Sequence, residues 1–248
     1  MKILVFGAGV LGCNLARNFF RAGKDVTLLA RGAWGESIQK NGLRIKDKFS
    51  PRMSVSRIPV TAELKAEDKY DVIFVVLRYT QLDAILDTLR TNPTKNIVFA
   101  GNDMRASALS ASLPEKNVMF AFASSAGHRE RKYVASVDLK KLKGNTAYLS
   151  RLIDANIEGY RAIKNAGHEI LPKDNAEFEG AAYHKTCLRF FKLMSATSLG
   201  KICASDHAMN AVDEMSALNR DLKAFFDEYG AKYPVWQELE QEVAKYLK

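Results

Sequence analysis

Cysteine, acidic residues and long apolar runs are all scarce in this chain, and each scarcity excludes a class of protein. Three cysteines among 248 residues are too few for the disulfide framework of a small secreted scaffold, and they suit a reducing cytoplasm. Apolar runs such as Val72–Leu77 are far too short to cross a bilayer, and the first residues lack the pattern of a signal peptide. We therefore expect a cytoplasmic protein with no membrane segment.

The shortage of acidic residues leaves 37 Lys and Arg against 28 Asp and Glu, a formal net charge of +9. Such a charge suits nucleic acid, anionic lipid or small anionic ligands. The basic residues are scattered, the densest cluster is Lys140–Lys143, and no nucleic-acid-binding motif accompanies it. We expect no nucleic-acid partner, and we expect part of the charge to attract a phosphate-bearing cofactor and an acid substrate. A basic nucleic-acid-associated protein is a distant alternative, which strongly salt-dependent binding would reveal.

The chain opens with a pattern that predicts a strand, a glycine-rich turn and a helix. The apolar run Lys2–Phe6 is followed at once by a GxGxxG motif and then by apolar residues at helical spacing. Gly7 permits the tight turn, Gly9 lets the backbone approach a diphosphate, and Gly12 lets the helix pack closely on the strand. The pattern predicts dinucleotide binding by a Rossmann-type fold, with the cofactor contacts Gly7, Ala8, Gly9, Val10, Leu11 and Gly12.

The end of the second predicted strand, Asp25–Ala30, indicates which dinucleotide is bound. NAD-preferring proteins carry an acidic residue there for the ribose 2′-hydroxyl, whereas this chain has Arg31 and no nearby Asp or Glu. A guanidinium can hold a 2′-phosphate through its planar set of donors, so we predict NADP rather than NAD. The alternative is that Arg31 is an ordinary surface charge.

Further strands alternate with helices, which predicts a doubly wound, mostly parallel sheet of the α/β class. The clearest of them are Tyr70–Leu77, Asn96–Ala100 and Asn117–Ala123. Ligands bind at the carboxyl ends of such strands, where we place Asn102 and Gly127 as cofactor contacts. Asn102 has an alternative role as the N-cap of the next helix.

We predict a domain boundary at Pro172, with a dinucleotide-binding domain over residues 1–172 and a small all-α domain over residues 173–248. The first would end with a strand at residues 168–171. The second would contain helices at about residues 176–199, 206–229 and 235–247. It would serve substrate binding or dimerisation, and the protein would be a monomer or a homodimer.

Several segments of this sequence resemble the ketopantoate reductase family along nearly the whole chain. The most specific are the glycine motif, Asn41–Ile45 and the segment Asn102–Met104. The others are Ala22–Arg31, Asp71–Arg78 with Gln81, Tyr183–Lys185 and Ala211–Asn219.

The resemblance implies an NADP-dependent 2-dehydropantoate 2-reductase-like oxidoreductase, which reduces a small 2-keto acid to a 2-hydroxy acid and has a place in pantothenate biosynthesis. It implies that Lys185 is the general acid and that Glu214 positions the cofactor ribose and the substrate. Asn102 would lie between nicotinamide ribose and substrate, and Arg78 replaces a usual lysine beside the cofactor.

The chain also departs from the family at the substrate side. Arg189 and Leu193 stand where asparagines are usual, the substrate-binding serine has no clear counterpart, and the helical domain is short. We hypothesise that Arg189, one helical turn from Lys185, holds the substrate carboxylate in a bidentate contact. The alternative is a catalytically inactive NADP-binding sensor or interaction protein with the same fold.

The predicted site residues of the helical part also have plain structural interpretations. Lys185 and Arg189 could form a solvated basic edge of a helix whose core face includes Phe190, and Glu214 could be an exposed helical glutamate. The pairs His184/Cys187 and Cys203/His207 have spacings compatible with zinc, but nothing else in the sequence resembles a metal signature, and we predict no metal.

Overall fold

The computed structural model describes residues 1–47, 50–122, 127, 142, 144–201, 209 and 211–244. The chain divides into two compact units, Met1–Arg129 and Glu130–Lys248. The long helix at residues 146–165 therefore belongs with the helical unit, whereas the sequence analysis placed it before the boundary at Pro172. The predicted starting point of the second C-terminal helix, Asp206, and the basic residues 140, 141 and 143 lie outside the described residues.

The first unit is built on a parallel sheet of six strands. With the strands numbered along the chain, their spatial order in the sheet is 5-2-1-6-7-8. The third and fourth strands form a separate hairpin. Counting only these six, the order is 3-2-1-4-5-6, that of dinucleotide-binding sheets, and confirms the predicted Rossmann-type fold. The sheet strands are β1 Lys2–Phe6, β2 Asp25–Leu29, β5 Val60–Thr61, β6 Val72–Val75, β7 Asn96–Ala100 and β8 Asn117–Ala121.

Helices and one hairpin connect the strands. The β3–β4 hairpin is antiparallel and pairs Leu43 with Ser56. The connection between β6 and β7 consists of two short 3₁₀ turns, Tyr79–Gln81 and Asp83–Ile85, and one short α-helix. The remaining elements of this unit are α1 Val10–Arg21, α2 Gly32–Asn41, β3 Leu43–Lys46, β4 Met53–Ser56, α3 Leu86–Thr91 and α4 Ala106–Ser112.

Apolar residues of the sheet pack on both of its faces, because alternate side chains of each strand point to opposite sides. On β1, Leu4 and Phe6 join one buried cluster, which also holds residues of β6 and β7, while Ile3 and Val5 join another with α1 and α2. The central strands β1, β6 and β7 are therefore covered on both faces, whereas most of the edge strand β8 is exposed.

The second unit is helical, and its elements are α5 Thr146–Asn165, a 3₁₀ turn Lys173–Asn175, α6 Ala181–Ser195, α7 Ser198–Gly200, α8 Val212–Glu228 and α9 Pro234–Val243. The predicted strand at residues 168–171 is wrong, because this segment has no regular secondary structure and its Ile170 packs into a helical cluster with Ile153 and Phe178. Within the described part of the chain, no helix is long and apolar enough to span a membrane.

A buried carboxylate joins α5 to the start of α9. Glu158 is 4% exposed, and its two oxygens accept the backbone N–H groups of Val235 at 2.9 Å and Trp236 at 2.8 Å. These N–H groups belong to the first turn of α9, where they have no partner within the helix and where the helix dipole favours a negative charge. The contact fixes the angle between the two helices.

Candidate functional site

The turn after β1 has the geometry that the glycine motif predicts. Gly7 has a φ of +121°, a value that residues with a side chain rarely adopt, and a Cβ there would lie 2.4 Å from the carbonyl oxygen of Val76. A Cβ on Gly12 would lie 1.9 Å from the carbonyl oxygen of Gly7. Both glycines are therefore required by the fold itself, since they let β1, α1 and the end of β6 approach one another.

Gly9 differs from its two neighbours in the motif. Its φ is −71°, which any residue can adopt, and a Cβ added to it would meet no atom of the described residues within 4 Å. The part of the protein that the structure describes thus gives no steric reason for a glycine at this position. A ligand that approaches the backbone closely would supply that reason, so the open space at Gly9 fits the diphosphate of a dinucleotide.

The amino end of α1 is also prepared for an anion. Gly9 is its N-cap and contributes no side-chain hydrogen bond, and the first turn, which begins with Val10 and Leu11, contains no acidic residue. The first N–H groups of the helix thus keep their capacity to donate, and the positive end of the helix dipole lies at the same place. This arrangement binds phosphate in many nucleotide sites.

Arg31 is exposed and lies between the end of β2 and the start of α2, for which it is the N-cap. Its guanidinium has no ion-pair or hydrogen-bond partner among the described residues. Three residues further on, Trp34 donates its indole Nε1–H to the carbonyl oxygen of Ala8 at 3.0 Å. Trp34 is not among the residues predicted from the sequence, although a tryptophan so soon after Arg31 was a visible signal.

Two other predicted contacts follow the strands β6 and β7. Arg78 is exposed, and its backbone N–H donates to the Gln81 side chain at 3.2 Å. Asn102 is exposed and lines a shallow pocket, and its carboxamide has no hydrogen-bond partner within the described ranges. Asn102 is not a helix cap, because the N-cap of α4 is Arg105.

The first unit brings its predicted contacts to one edge of the sheet. Strands β2, β1, β6 and β7 are parallel neighbours, so Arg31, Gly7, Arg78 and Asn102 all follow carboxyl ends at the same edge. Gly127 lies against the start of α1, where its Cβ would be 3.1 Å from Cγ1 of Val10. This edge includes the point where the strand order reverses, between β1 and β6, which is where open α/β sheets bind ligands.

In the helical unit, Lys185 and Arg189 lie on the exposed side of α6. Phe190 and Leu193 are on that side too, with 54% and 64% of their surface exposed. The assignment of Phe190 to the core face is therefore wrong, and Leu188 packs into the cluster in its place. The face of α6 that is exposed in this unit therefore combines basic and apolar side chains.

Tyr183 anchors the opposite side of α6. Burial raises the pKa of its phenol well above the usual value of 10, and hydrogen bonds with Tyr160 and Cys187 act in the same direction. The phenol therefore stays protonated at neutral pH, and it serves as a packing residue that fixes the helix on which Lys185 stands.

Glu214 lies in the first turn of α8 and is 7% exposed. The structural alternative of an exposed helical glutamate is therefore wrong. A carboxylate in this position interacts favourably with the positive end of the helix dipole, which lowers the cost of burying it.

Among the described residues, no three His, Cys, Asp or Glu side chains are grouped as metal ligands. His184 lies 3.5 Å from the carboxylate of Asp154, measured from Nε2 to Oδ1. Cys203 and His207 lie outside the described residues.

The parallel sheet of order 3-2-1-4-5-6 and the glycine turn after its first strand define a Rossmann-type fold, the fold of dinucleotide-binding domains. The family model described as ketopantoate reductase PanE/ApbA matches residues 3–145, and this chain belongs to that family.

Curated relatives of the chain include two 2-dehydropantoate 2-reductases. The protein from Mesorhizobium japonicum is 39% identical over 92 residues, which is 36% of this chain and 27% of the relative. The protein from Lactococcus lactis subsp. lactis is 25% identical over 150 residues, 50% of this chain and 47% of the relative. The chain thus matches less than half the length of either relative.

Solved structures extend the likeness of the fold to the whole chain. A ternary structure of D-mandelate dehydrogenase with NADH and anilino(oxo)acetate has a TM-score of 0.64 at 16% identity, covering 100% of this chain and 98% of the other. The 2-dehydropantoate 2-reductase from Methylococcus capsulatus has a TM-score of 0.60 at 16% identity, with the same coverage. The dimeric ketopantoate reductase from Staphylococcus aureus has a TM-score of 0.58 at 13% identity, covering all of both chains.

Proposed function

We propose that this protein is an NADP-dependent oxidoreductase that reduces a small 2-keto acid, ketopantoate or a related compound, to a 2-hydroxy acid. The observation that carries the proposal is the glycine turn: the fold requires Gly7 and Gly12, whereas Gly9 leaves a space at the amino end of α1 that fits a bound diphosphate. Family membership and the named activity of the curated relatives support the reaction class.

The choice of NADP rests on Arg31. Its exposed guanidinium follows β2, where the ribose of the adenosine half is held in such sheets, and it is available for a 2′-phosphate. D-mandelate dehydrogenase has a solved structure with NADH, so the two coenzymes must be compared directly.

Titration with NADPH and with NADH tests this choice. We expect the wild-type protein to prefer NADPH and Arg31→Ala to lose about 10- to 100-fold in NADPH affinity, the loss of one or two charge-assisted hydrogen bonds, with little change for NADH. Arg57→Ala is a matched control, because Arg57 is exposed and precedes β5 at the opposite edge of the sheet. Equal affinity for both coenzymes in the wild type would overturn the NADP assignment.

NADPH bound at this edge would supply the hydride for the keto carbon of the substrate. As negative charge develops on the carbonyl oxygen, the ammonium of Lys185 stabilises it and donates the proton that completes the hydroxyl group. Arg189, one turn further along α6, binds the substrate carboxylate through two parallel N–H donors. Glu214 positions the ribose and the substrate, and Asn102 and Arg78 orient the nicotinamide half.

Oxidation of NADPH against a panel of 2-keto acids tests the chemistry. Lys185→Met keeps the apolar part of the side chain as far as Cε and removes its ammonium, so kcat should fall by about 100-fold or more while NADPH affinity is retained. Lys164→Met, an exposed lysine at the end of α5, is the control. Unchanged kcat in Lys185→Met would refute its role, and stabilisation of the wild type by NADPH without turnover of any 2-keto acid would refute the reductase.

Arg189→Ala separates substrate binding from chemistry. We expect it to raise KM for 2-keto acids and to leave NADPH affinity unchanged, because the arginine would contact only the substrate carboxylate. If KM stayed the same for every acid in the panel, Arg189 would not bind the substrate carboxylate.

We also propose that the protein is located in the cytoplasm and that it is a monomer or a homodimer.

A further inference from the structure

Trp34 makes a contact with the glycine turn that the motif does not require. It lies in the first turn of α2, it is half-buried, and its indole N–H donates to the carbonyl oxygen of Ala8 at 3.0 Å. The thiol of Cys13 also donates to this oxygen, at 3.4 Å, but a thiol is a weak donor. The indole N–H is therefore the stronger of these two side-chain donors to the Ala8 carbonyl oxygen.

The peptide that carries this carbonyl is followed by a glycine, which permits its rotation. A flip of the Ala8–Gly9 peptide changes ψ of Ala8 and φ of Gly9 by about half a turn, which would take Gly9 from −71° to a positive φ. Glycine tolerates such values, so the residue that leaves space for a ligand also permits the turn to flip. A residue with a side chain at position 9 would oppose the flip but would fill the space.

The orientation of this peptide decides what the turn presents to an anion. In a trans peptide the C=O and the N–H point in opposite directions. While Trp34 holds the Ala8 carbonyl, the Gly9 N–H points to the other side of the turn and can donate to a phosphate. The flipped peptide would present a carbonyl oxygen there, which would repel an anion.

We propose that Trp34 is a positioning residue, whose indole N–H holds the Ala8–Gly9 peptide in the orientation that binds the diphosphate of the coenzyme. This inference rests on the proposed function. Without the donor, the peptide populates both orientations and only a fraction of the protein is competent to bind. The apparent Kd then rises by the inverse of that fraction. The chemical step is unaffected once the coenzyme is bound, because binding itself selects the competent orientation.

Two replacements at position 34 remove the donor. Trp34→Phe removes the N–H with part of the ring, and β-(3-benzothienyl)alanine at position 34 replaces the N–H by sulfur while the ring volume is kept. We expect the Kd for NADP⁺ to rise about three- to tenfold in both, the range expected when a single hydrogen bond is lost. At saturating coenzyme, kcat should equal that of the wild type. The isostere keeps the test valid if the smaller phenylalanine impairs folding.

Trp236→Phe is the matched control, because Trp236 is the other tryptophan of the chain and also donates its indole N–H, to Asn219 at 2.8 Å. We expect it to leave the Kd for NADP⁺ unchanged. If the wild type binds NADP⁺ and both replacements at position 34 bind it equally well, the positioning role is overturned while the proposed function stands. If the wild type binds neither NADP⁺ nor NAD⁺, the proposed function fails and this inference fails with it.

Discussion

Two glycine-to-alanine substitutions in the same turn should have opposite consequences, because the protein fills one Cβ position and leaves the other open. At Gly12 the new Cβ would have to move by about 1.1 Å, from 1.9 Å to the 3.0 Å below which real Cβ contacts are essentially absent. The obstacle is the backbone carbonyl of Gly7, which cannot rotate away as a flexible side chain would. Forced overpacking of this kind costs about 1–3 kcal/mol.

At Gly9 the same methyl group costs the ligand-free protein nothing. Its φ of −71° is accessible to alanine, and none of the described residues has an atom within 4 Å of the new Cβ. Alanine also restricts the unfolded chain, which stabilises the folded state by about 0.4–1 kcal/mol. The methyl group would, however, occupy the space where we place the diphosphate.

Thermal melting without ligand and titration with NADPH measure the two effects separately. Gly12→Ala should melt about 2–10 °C below the wild type. Gly9→Ala should melt at or above the wild-type temperature and bind NADPH about tenfold more weakly or worse, a loss of about 1.4 kcal/mol or more. Gly159→Ala is the control, because Gly159 lies in α5 and its Cβ would also meet nothing within 4 Å.

Either of two results would contradict these expectations. Wild-type affinity for NADPH in Gly9→Ala would mean that the open space at this glycine is not where the diphosphate lies. Wild-type stability in Gly12→Ala would mean that the close approach of α1 to the turn is not a constraint on the fold. The control should show that an alanine in open space does not by itself reduce coenzyme affinity.

Two further predictions concern carboxylates of the helical unit. Glu158→Gln should lower the free energy of unfolding by about 1–3 kcal/mol, because an amide replaces one of the two acceptors of the α9 N–H groups; an unchanged urea midpoint would contradict this. For Glu240, a hydrogen bond from Lys223 foremost, and one from Asn219, lower the carboxyl pKa against the opposing effect of burial. A lowered folded pKa means that this stabilisation is present above about pH 4.5 and is lost as the pH falls through the folded pKa. Glu240→Gln should therefore be less stable than the wild type at pH 7 and should approach it in acid, as urea midpoints from pH 3 to pH 7 would show. A difference that is constant across this range would refute the linkage.

The local features of the nucleotide-binding edge could be predicted from the sequence because each rests on a short segment. The motif at Gly7–Gly12 specifies a turn whose φ values and close contacts are local, and alternating strands and helices specify a parallel sheet. Arg31 was identifiable because it immediately follows a strand of that sheet. Such features depend on neighbours in sequence, and sequence periodicity reports on them directly.

Features that depend on partners distant in sequence could not be predicted in this way. Phe190 occupies a position with the helical spacing of a core residue, yet it is exposed. Glutamate is usually found at the surface, yet Glu214 is buried. The segment at residues 168–171 has the apolar character of a strand, yet Ile170 packs among helices. Burial is decided by which element arrives opposite a side chain, and periodicity along one element does not contain that information.

The order of the amino acids by itself determined the open sheet, the glycine turn and the strand ends at which a dinucleotide would bind, because strand period, glycine conformation and helix dipole are properties of short stretches of chain. Only the tertiary structure decided that Gly9 faces empty space while Gly12 does not, and that an indole from the next helix holds the turn. Those facts arise from contacts between segments that the folded chain brings together, and the direction of a single peptide depends on them.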